Sequence, residues 1–468
     1  MEYYLAVDIG ASSGRHILGS IQDGKITLEE IYRFENNVTM INEELAWDVD
    51  YLFHEIIEGM KKCKSLNKIP LSMAIDTWAV DYVFIDKQGN RLGNAVSYRD
   101  HRTDTIDQEV YKIISLEDLY QRTGIQKQLF NTIYQLMAVK KETPEVLENV
   151  DSMLLIPDYF NYLLTGKKAC EYTNASTTQL VIPKTKNWDY ELIERLGYPL
   201  HIFEEIVPPG TTLGNLSQTI KETVGFDTKV IVTTSHDTAS AVVSVPAVEN
   251  DFIYISSGTW SLMGLERQKA DCSLESMRAN FTNEGGYNYR FRYLKNIMGL
   301  WMIQSLRREL NEEVSVGELC EMAKANQDFP SRVNVNDHSF LSPDSMIKAI
   351  QDYCQKTNQI IPKAVGELAN VIYQSLALSY ASTIEEIELL TRKKYSAIHV
   401  VGGGGNADYL NELTAKATGK IIYTGPTEAT ATGNMVVQMI SNKVFASLEE
   451  ARKCIKDSFQ IKIYQEEK

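Results

Sequence analysis

The residues whose types could do chemistry gather in one stretch, 230–264, VIVTTSHDTASAVVSVPAVENDFIYISSGTWSLMG. Asp237 stands there at the head of a helix-like segment, and the apolar run Phe252 to Ile255 then opens onto Ser256-Ser257-Gly258-Thr259. A second apolar run, Tyr4 to Ile9, opens onto Gly10-Ala11-Ser12-Ser13-Gly14-Arg15. Small residues in such turns let backbone N–H groups approach an anion, the hydroxyls add donors, and Asp8 could hold a hydrated divalent cation. A carboxylate at a helix start can accept a hydroxyl proton as that oxygen attacks a γ-phosphoryl group. Aspartate is also a favoured N-cap of a helix such as Thr238 to Val243, and the two roles are compatible. His236 either orients its neighbours or is structural. The Ser-Ser-Gly triplet occurs only at these two places, which suggests two related halves facing each other across a cleft.

A third feature is Gly402-Gly403-Gly404-Gly405, set between the strand-like Ala397 to Val401 and the helix-like Ala407 to Ala417. That setting suits backbone in close approach to a ligand, the adenosine portion of a nucleotide being the simplest. Neither a Gly-x-x-x-x-Gly-Lys-Ser/Thr loop nor the protein-kinase signature set is present, so those nucleotide folds are set aside. Trp78, Trp260 and Trp301 read as core or cleft-wall aromatics, Trp47 and Trp188 as core.

The elements that must position these residues read as α/β. Tyr4 to Ile9, Arg15 to Ile21 and Ile26 to Phe34 form a meander with an Asp23-Gly24 turn. Val49, Leu52, Phe53, Ile56, Ile57 and Met60 have helical spacing after Asp48. Strands are expected at Met73 to Asp76, Val80 to Ile85 and Lys229 to Thr233. Helix is expected over much of 100–165, with a stop at Gly166, around Lys295 to Leu310, and over Ala364 to Leu390. The domains are expected at 1–246 and 247–468.

The 468 residues exceed what a single core supports, and 44% hydrophobic with 23% charged residues is an ordinary globular make-up. A net charge of −15 without a basic run argues against nucleic acid or an anionic membrane as partner. The six cysteines are scattered without metal-ligand spacing, and neither a leader-type N-terminus nor an 18-residue apolar run is seen, so a cytoplasmic protein with free thiols is expected.

The blocks DIGASSGR (8–15), WDVD (47–50), DTWAVD (76–81), YRD (98–100), PDYF (157–160), EYTNA (171–175), SHDTASA (235–241), SSGTWSLMG (256–264), TNEGG (282–286), KNIMGLW (295–301) and Gly402 to Gly404 occur in one order along most of the chain. Together they resemble the FGGY carbohydrate kinases, specifically the branch acting on L-rhamnulose. The resemblance implies two related actin/hexokinase-like, ribonuclease H-like ATPase domains flanking a catalytic cleft. It implies phosphorylation of L-rhamnulose at the C1 hydroxyl by ATP with Mg²⁺, in a monomer that needs neither nucleic acid nor membrane. Carried across by motif, Asp237 is the general base, and Ala79, His236, Asp237, Thr238 and Asn296 line the sugar site. Ala11, Ser12, Ser13, Gly14, Arg15, Thr259, Gln304, Gly402, Gly403 and Gly404 contact ATP, and Asp8 stands near the metal. Two departures stand out. Ala79 occupies a position more often Gly, so its methyl group would either narrow the sugar pocket or shift its backbone slightly, and Gly405-Asn406-Ala407 follow the triple glycine. Kinases for L-fuculose or D-xylulose, or a non-catalytic nucleotide switch of the same fold, are the alternatives.

Overall fold

The computed structural model describes residues 1–247 and 251–466. Residues 248–250 and 467–468, within the second expected domain, lie outside the described residues. Two compact units emerge, and neither is a continuous half of the chain. The first comprises Met1–Ser244, Glu266–Tyr293 and Ala429–Ser458; the second comprises Val245–Leu265, Leu294–Glu428 and Phe459–Lys468.

The first unit is built on a six-stranded sheet. Its order is Thr211–Asn215, Lys229–Val232, Pro70–Thr77, β1 (Tyr3–Ile9), β2 (Ser13–Gln22) and β3 (Lys25–Glu35). Apart from Asp8, β1 is apolar on both faces, and it is buried on both, as a central strand must be. The expected meander is present. Asp23 and Gly24 both take positive φ, 50° and 75°, and so close the tight hairpin between Gln22 and Lys25. The helix α1 (Val49–Ser65) returns the chain so that Pro70–Thr77 runs parallel to β1, with Asp8 opposite Asp76. Asp48 caps α1 by accepting from the Tyr51 N–H at 2.9 Å.

The helix Ala429–Ser441 packs on this same sheet, although it lies late in the chain. Gln438 Nε2 donates to Leu5 O at 3.0 Å, and Gln438 Oε1 accepts from the Ser72 hydroxyl at 2.8 Å. A Cβ on Gly433 would lie 1.7 Å from Ser240 O, so only glycine allows this approach of Ala429–Ser441 to the helix Asp237–Val243.

Other sequence expectations change in detail. The helical region 100–165 is several short helices interrupted by the strand Ser152–Leu155, and Gly166 does end one of them in the left-handed conformation, φ 74°. The helix expected over Lys295 to Leu310 is a strand, Phe291–Met298, followed by a helix, Trp301–Glu309. The break falls at Gly299, where an added Cβ would sit 2.6 Å from the Trp260 carbonyl carbon. The strand expected at Val80 begins at Tyr82, because Val80 has φ 68°.

In the second unit, Ile253–Ser257 forms a hairpin with Trp260–Arg267 and runs parallel to Ala397–Val401. Ile421–Thr424 extends the parallel set, and Lys462–Tyr464 closes it antiparallel. The hairpin with a parallel strand on its other side repeats the β2, β1, Pro70–Thr77 arrangement. Among the described residues no helix is long and apolar enough to cross a membrane.

Candidate active site

Asp237 is placed by the segment that leaves the strand Lys229–Val232. Thr77 N–H donates to Ser235 O at 2.9 Å, continuing the parallel pairing past the strand end. Glu171, fully buried, then fixes the segment from behind. Its carboxylate accepts from Ser235 N–H at 3.1 Å, the Ser235 hydroxyl at 2.7 Å, Thr173 N–H at 2.7 Å, the Thr173 hydroxyl at 2.5 Å and Asn174 N–H at 3.0 Å. The Thr173 hydroxyl oxygen accepts in turn from His236 N–H at 3.3 Å. Burial pushes the Glu171 carboxyl up, and these donors oppose the shift.

Asp237 opens the helix Asp237–Val243, with His236 rather than Asp237 at the N-cap position. Asp237 Oδ1 accepts from Thr238 N–H at 2.5 Å and from the Thr238 hydroxyl at 3.1 Å. The side chain is one-third exposed, recessed yet open to a substrate. Burial, and then the charge of Asp8, push its carboxyl up to about 6, so it is ionised yet basic near neutral pH.

Asp8, at the end of β1, pairs with Arg15 Nη2 at 2.7 Å. Its neighbour Asp76 is fully buried; Oδ2 accepts from Asn434 Nδ2 at 2.5 Å, and Oδ1 has no partner among the described residues. Burial and Asp8 hold the Asp76 carboxyl well above the usual range, with Asn434 opposing. The turn after β1 is braced: Gly10 N–H donates to Ser13 O at 2.9 Å, and Asn36 gives its Nδ2 to Gly10 O at 2.8 Å and its N–H to Ser12 O at 3.1 Å. Ala11 and Ser13 are partly exposed and Ser12 is exposed. Gly14 has an internal reason, since a Cβ there would lie 2.0 Å from Phe34 Cζ.

Ala79 sits in a tight bend. Val80, β-branched yet at φ 68°, is a strained residue. It is held by the Thr132 hydroxyl on its carbonyl at 2.7 Å and by the buried Asp81 next to it. Asp81 accepts from Trp47 Nε1 at 2.7 Å, Trp78 Nε1 at 2.9 Å, Gln135 Nε2 at 2.9 Å and Tyr98 N–H at 3.0 Å. Burial pushes its carboxyl up to about 6 against these four donors. Trp47 and Trp188 are core, as expected, and the Trp47 and Trp78 rings pack with 4.1 Å between centroids and a tilt of 37° between their planes.

The second unit groups Thr259, Gln304 and the triple glycine around the end of its hairpin. Gly258 N–H donates to Trp260 O at 2.9 Å; Gly258 O accepts from Leu300 N–H at 3.0 Å and Thr259 O from Trp301 N–H at 3.2 Å. Thr259 and Gln304 are exposed, as is Trp260 at 41%. The three glycines differ. Gly402 has φ 83°, and a Cβ on Gly404 would lie 1.9 Å from Ser257 Oγ, whereas Gly403 is exposed with open space where a Cβ would be. Asn296 is half-buried on the strand Phe291–Met298.

The structure therefore draws Asp8, His236, Asp237 and Thr238 together in the first unit, with the bend at Ala79 following Thr77 on the strand beside them. It groups Thr259, Gln304 and Gly402 to Gly404 in the second. Sequence reasoning assigned no role to Glu171, Asp76, Asp81, Arg292 or Glu284, although the first three and Glu284 lie within the conspicuous blocks EYTNA, DTWAVD and TNEGG.

The N-terminal domain model of the FGGY family of carbohydrate kinases matches residues 3–244, and its C-terminal domain model matches 253–442. A rhamnulokinase of Halalkalibacterium halodurans is 52% identical over 464 residues, 99% of each chain. That of Bacillus subtilis is 44% identical over 462 residues, covering 98% of this chain and 95% of its own. Among solved structures, a ligand-bound xylulose kinase from Lactobacillus acidophilus superposes with a TM-score of 0.81 at 17% identity, covering 99% of this chain and 94% of its own. A Plasmodium falciparum glycerol kinase with ADP gives 0.78 at 14% identity, covering 98% and 94%. Those two likenesses establish the two-domain actin/hexokinase-like fold. The chain belongs to the FGGY family of carbohydrate kinases.

Proposed function

We propose that this chain is a rhamnulokinase, transferring the γ-phosphoryl group of ATP to the C1 hydroxyl of L-rhamnulose to give L-rhamnulose 1-phosphate and ADP. The observation that carries the chemistry is the recessed, partly open Asp237, whose carboxyl is raised to about 6. The sugar's identity is supported by the near-full-length similarity to curated rhamnulokinases. Asp237 takes the proton of the C1 hydroxyl as that oxygen forms a bond to the γ-phosphorus. The bond from phosphorus to the β,γ-bridging oxygen breaks, and ADP leaves with that electron pair.

Ala79, His236, Thr238 and Asn296 orient the sugar in this reading. The nucleotide falls to Ala11, Ser12, Ser13, Gly14 and Arg15 in the first unit, and to Thr259, Gln304 and Gly402 to Gly404 in the second. In this reading residues 1–246 carry the base, the first phosphate turn and the sugar contacts other than Asn296, and 247–468 carry the second phosphate turn and the adenosine side. Asp8 would hold Mg²⁺. Its carboxylate is the hard oxygen donor this ion prefers, and Asp76 stands opposite it on the neighbouring parallel strand. When bound, Mg²⁺ supplies positive charge to the phosphates. Among the described residues no group of three or more His, Cys, Asp or Glu could hold a metal ion. The six free cysteines suit a reducing compartment such as the cytoplasm.

The test is ADP release with Mg-ATP across L-rhamnulose, L-fuculose, L-ribulose and D-xylulose, with a no-sugar control. Release driven by L-rhamnulose well above the others supports the reading. Equal release with all four, or release without sugar, refutes it.

A further inference from the structure

His236 touches charged groups on both ring nitrogens. Nδ1 lies 2.9 Å from Arg292 Nη2 in an aligned hydrogen bond, and Nε2 lies 3.3 Å from Asp237 Oδ1. Arg292 is wholly buried; its Nε donates to Gly285 O at 2.8 Å. Its Nη2 also forms an ion pair with Glu284 Oε2 at 2.9 Å, a contact of charge rather than an aligned hydrogen bond, since that oxygen has no hydrogen-bond partner among the described residues. Glu284 Oε2 is 3.5 Å from His236 Nδ1. The groups facing the imidazole are thus Asp237 on its own segment, Glu284 and Arg292 on the strands Thr282–Gly285 and Phe291–Met298, and Glu171 behind the backbone.

A guanidinium can only donate, so the Nδ1 it addresses must present a lone pair. The ring's proton then lies on Nε2, the nitrogen facing Asp237. We propose that Arg292, ion-paired with Glu284, is a positioning residue that fixes the tautomer of His236, so that the imidazole presents Nε2–H beside the base. The inference rests on Asp237 being the base. In that position Nε2–H is a donor for a substrate oxygen or for the Asp237 carboxylate, and it orients the hydroxyl whose proton Asp237 takes. Arg292 also opposes a second proton on the ring. An imidazolium at 3.3 Å would favour the ionised Asp237 and make it a weaker base. Burial and Arg292 both hold His236 well below the ordinary histidine range, in agreement with this arrangement.

The test is ¹⁵N spectroscopy of the full chain with labelled histidine, the His236 signals being identified among the seven histidines by their loss in His236→Gln. The expected spectrum has a bare Nδ1 and a protonated Nε2. Arg292→Met should mix the tautomers and lower kcat by about tenfold, the scale of imperfect proton transfer. Arg292→Lys, which keeps a donor, should recover much of the single tautomer. A proton on Nδ1 in the wild type, or an unchanged tautomer in folded Arg292→Met, overturns the proposal. Should Arg292→Met not fold, the wild-type spectrum alone decides. The spectra need no turnover, so a chain that fails to phosphorylate L-rhamnulose would sink the functional reading and leave the tautomer assignment standing.

Discussion

The turn after β1 and the turn after the strand Ile253–Ser257 look alike in sequence through Ser-Ser-Gly, yet that triplet falls at different places in the two hairpins. In the first, Ser13 and Gly14 already belong to the returning strand; in the second, Ser256 and Ser257 end the outgoing strand. The residues that correspond are the turn glycines, because Gly10 and Gly258 each donate across their own turn at 2.9 Å. Aligned so, Asp8-Ile9-Gly10 matches Ser256-Ser257-Gly258. The first turn keeps a carboxylate where the second has a hydroxyl. The same hairpin is thus charged in the unit that holds Asp237 and neutral in the unit that holds the triple glycine. The division suits reacting groups in one and uncharged backbone contact with a nucleotide in the other.

Making the first turn like the second should have the largest effect. Asp8→Ser should lower kcat by roughly a hundredfold or more, the scale of losing one preorganised charge at a transferring phosphoryl group. Raising Mg²⁺ should restore part of it, and a variant with wild-type kcat would erase the contrast between the turns. The pH dependence comes next. A base held up to about 6 must be ionised to work, so kcat/KM should fall about tenfold per pH unit below that point and level off above it. Asp8→Ser should move the midpoint down, because Asp8 is one source of the shift; a midpoint that does not move would detach the two carboxylates.

Glu171→Gln probes the support behind the base. It replaces charged hydrogen bonds worth about 1.5–3 kcal/mol each with weaker ones, so a drop in Tm and a kcat loss of about tenfold are expected, with little change in KM for sugar. Unaltered kcat would show that Ser235 to Asp237 hold their place without it. The smallest effects concern the second turn. Gly404→Ala should destabilise by about 1–3 kcal/mol, because its Cβ meets Ser257 Oγ. Gly403→Ala should leave Tm unchanged and raise only KM for ATP. Equal Tm losses in both variants would remove the distinction between packing glycine and ligand-facing glycine.

What the sequence disclosed was local. Alternation, the Asp23-Gly24 turn and the apolar spacing after Asp48 specify the meander and α1 within a few residues, and Asp237 is conspicuous in its own block. The supports are not local. Ser235 lies 64 residues from Glu171, His236 lies 56 from Arg292, and Asn434 lies 358 from Asp76. No periodicity links such pairs. The segment KNIMGLW misled for another reason: a short apolar run fits strand and helix periods alike, and Gly299 is what separates them. Nor is it legible in the sequence that the compact units are discontinuous, because Ala429–Ser441 returns to the first sheet through buried polar contacts that its composition does not announce.

The most direct measurement is the rate of L-rhamnulose 1-phosphate formation by Asp237→Asn beside the wild type, with folding checked by Tm. The substitution keeps shape and removes only the proton acceptor. A folded variant slower by about 10²- to 10⁴-fold in kcat, with sugar still bound, is the predicted result. A folded variant that makes product at the wild-type rate would contradict the account, since the base would have to lie elsewhere.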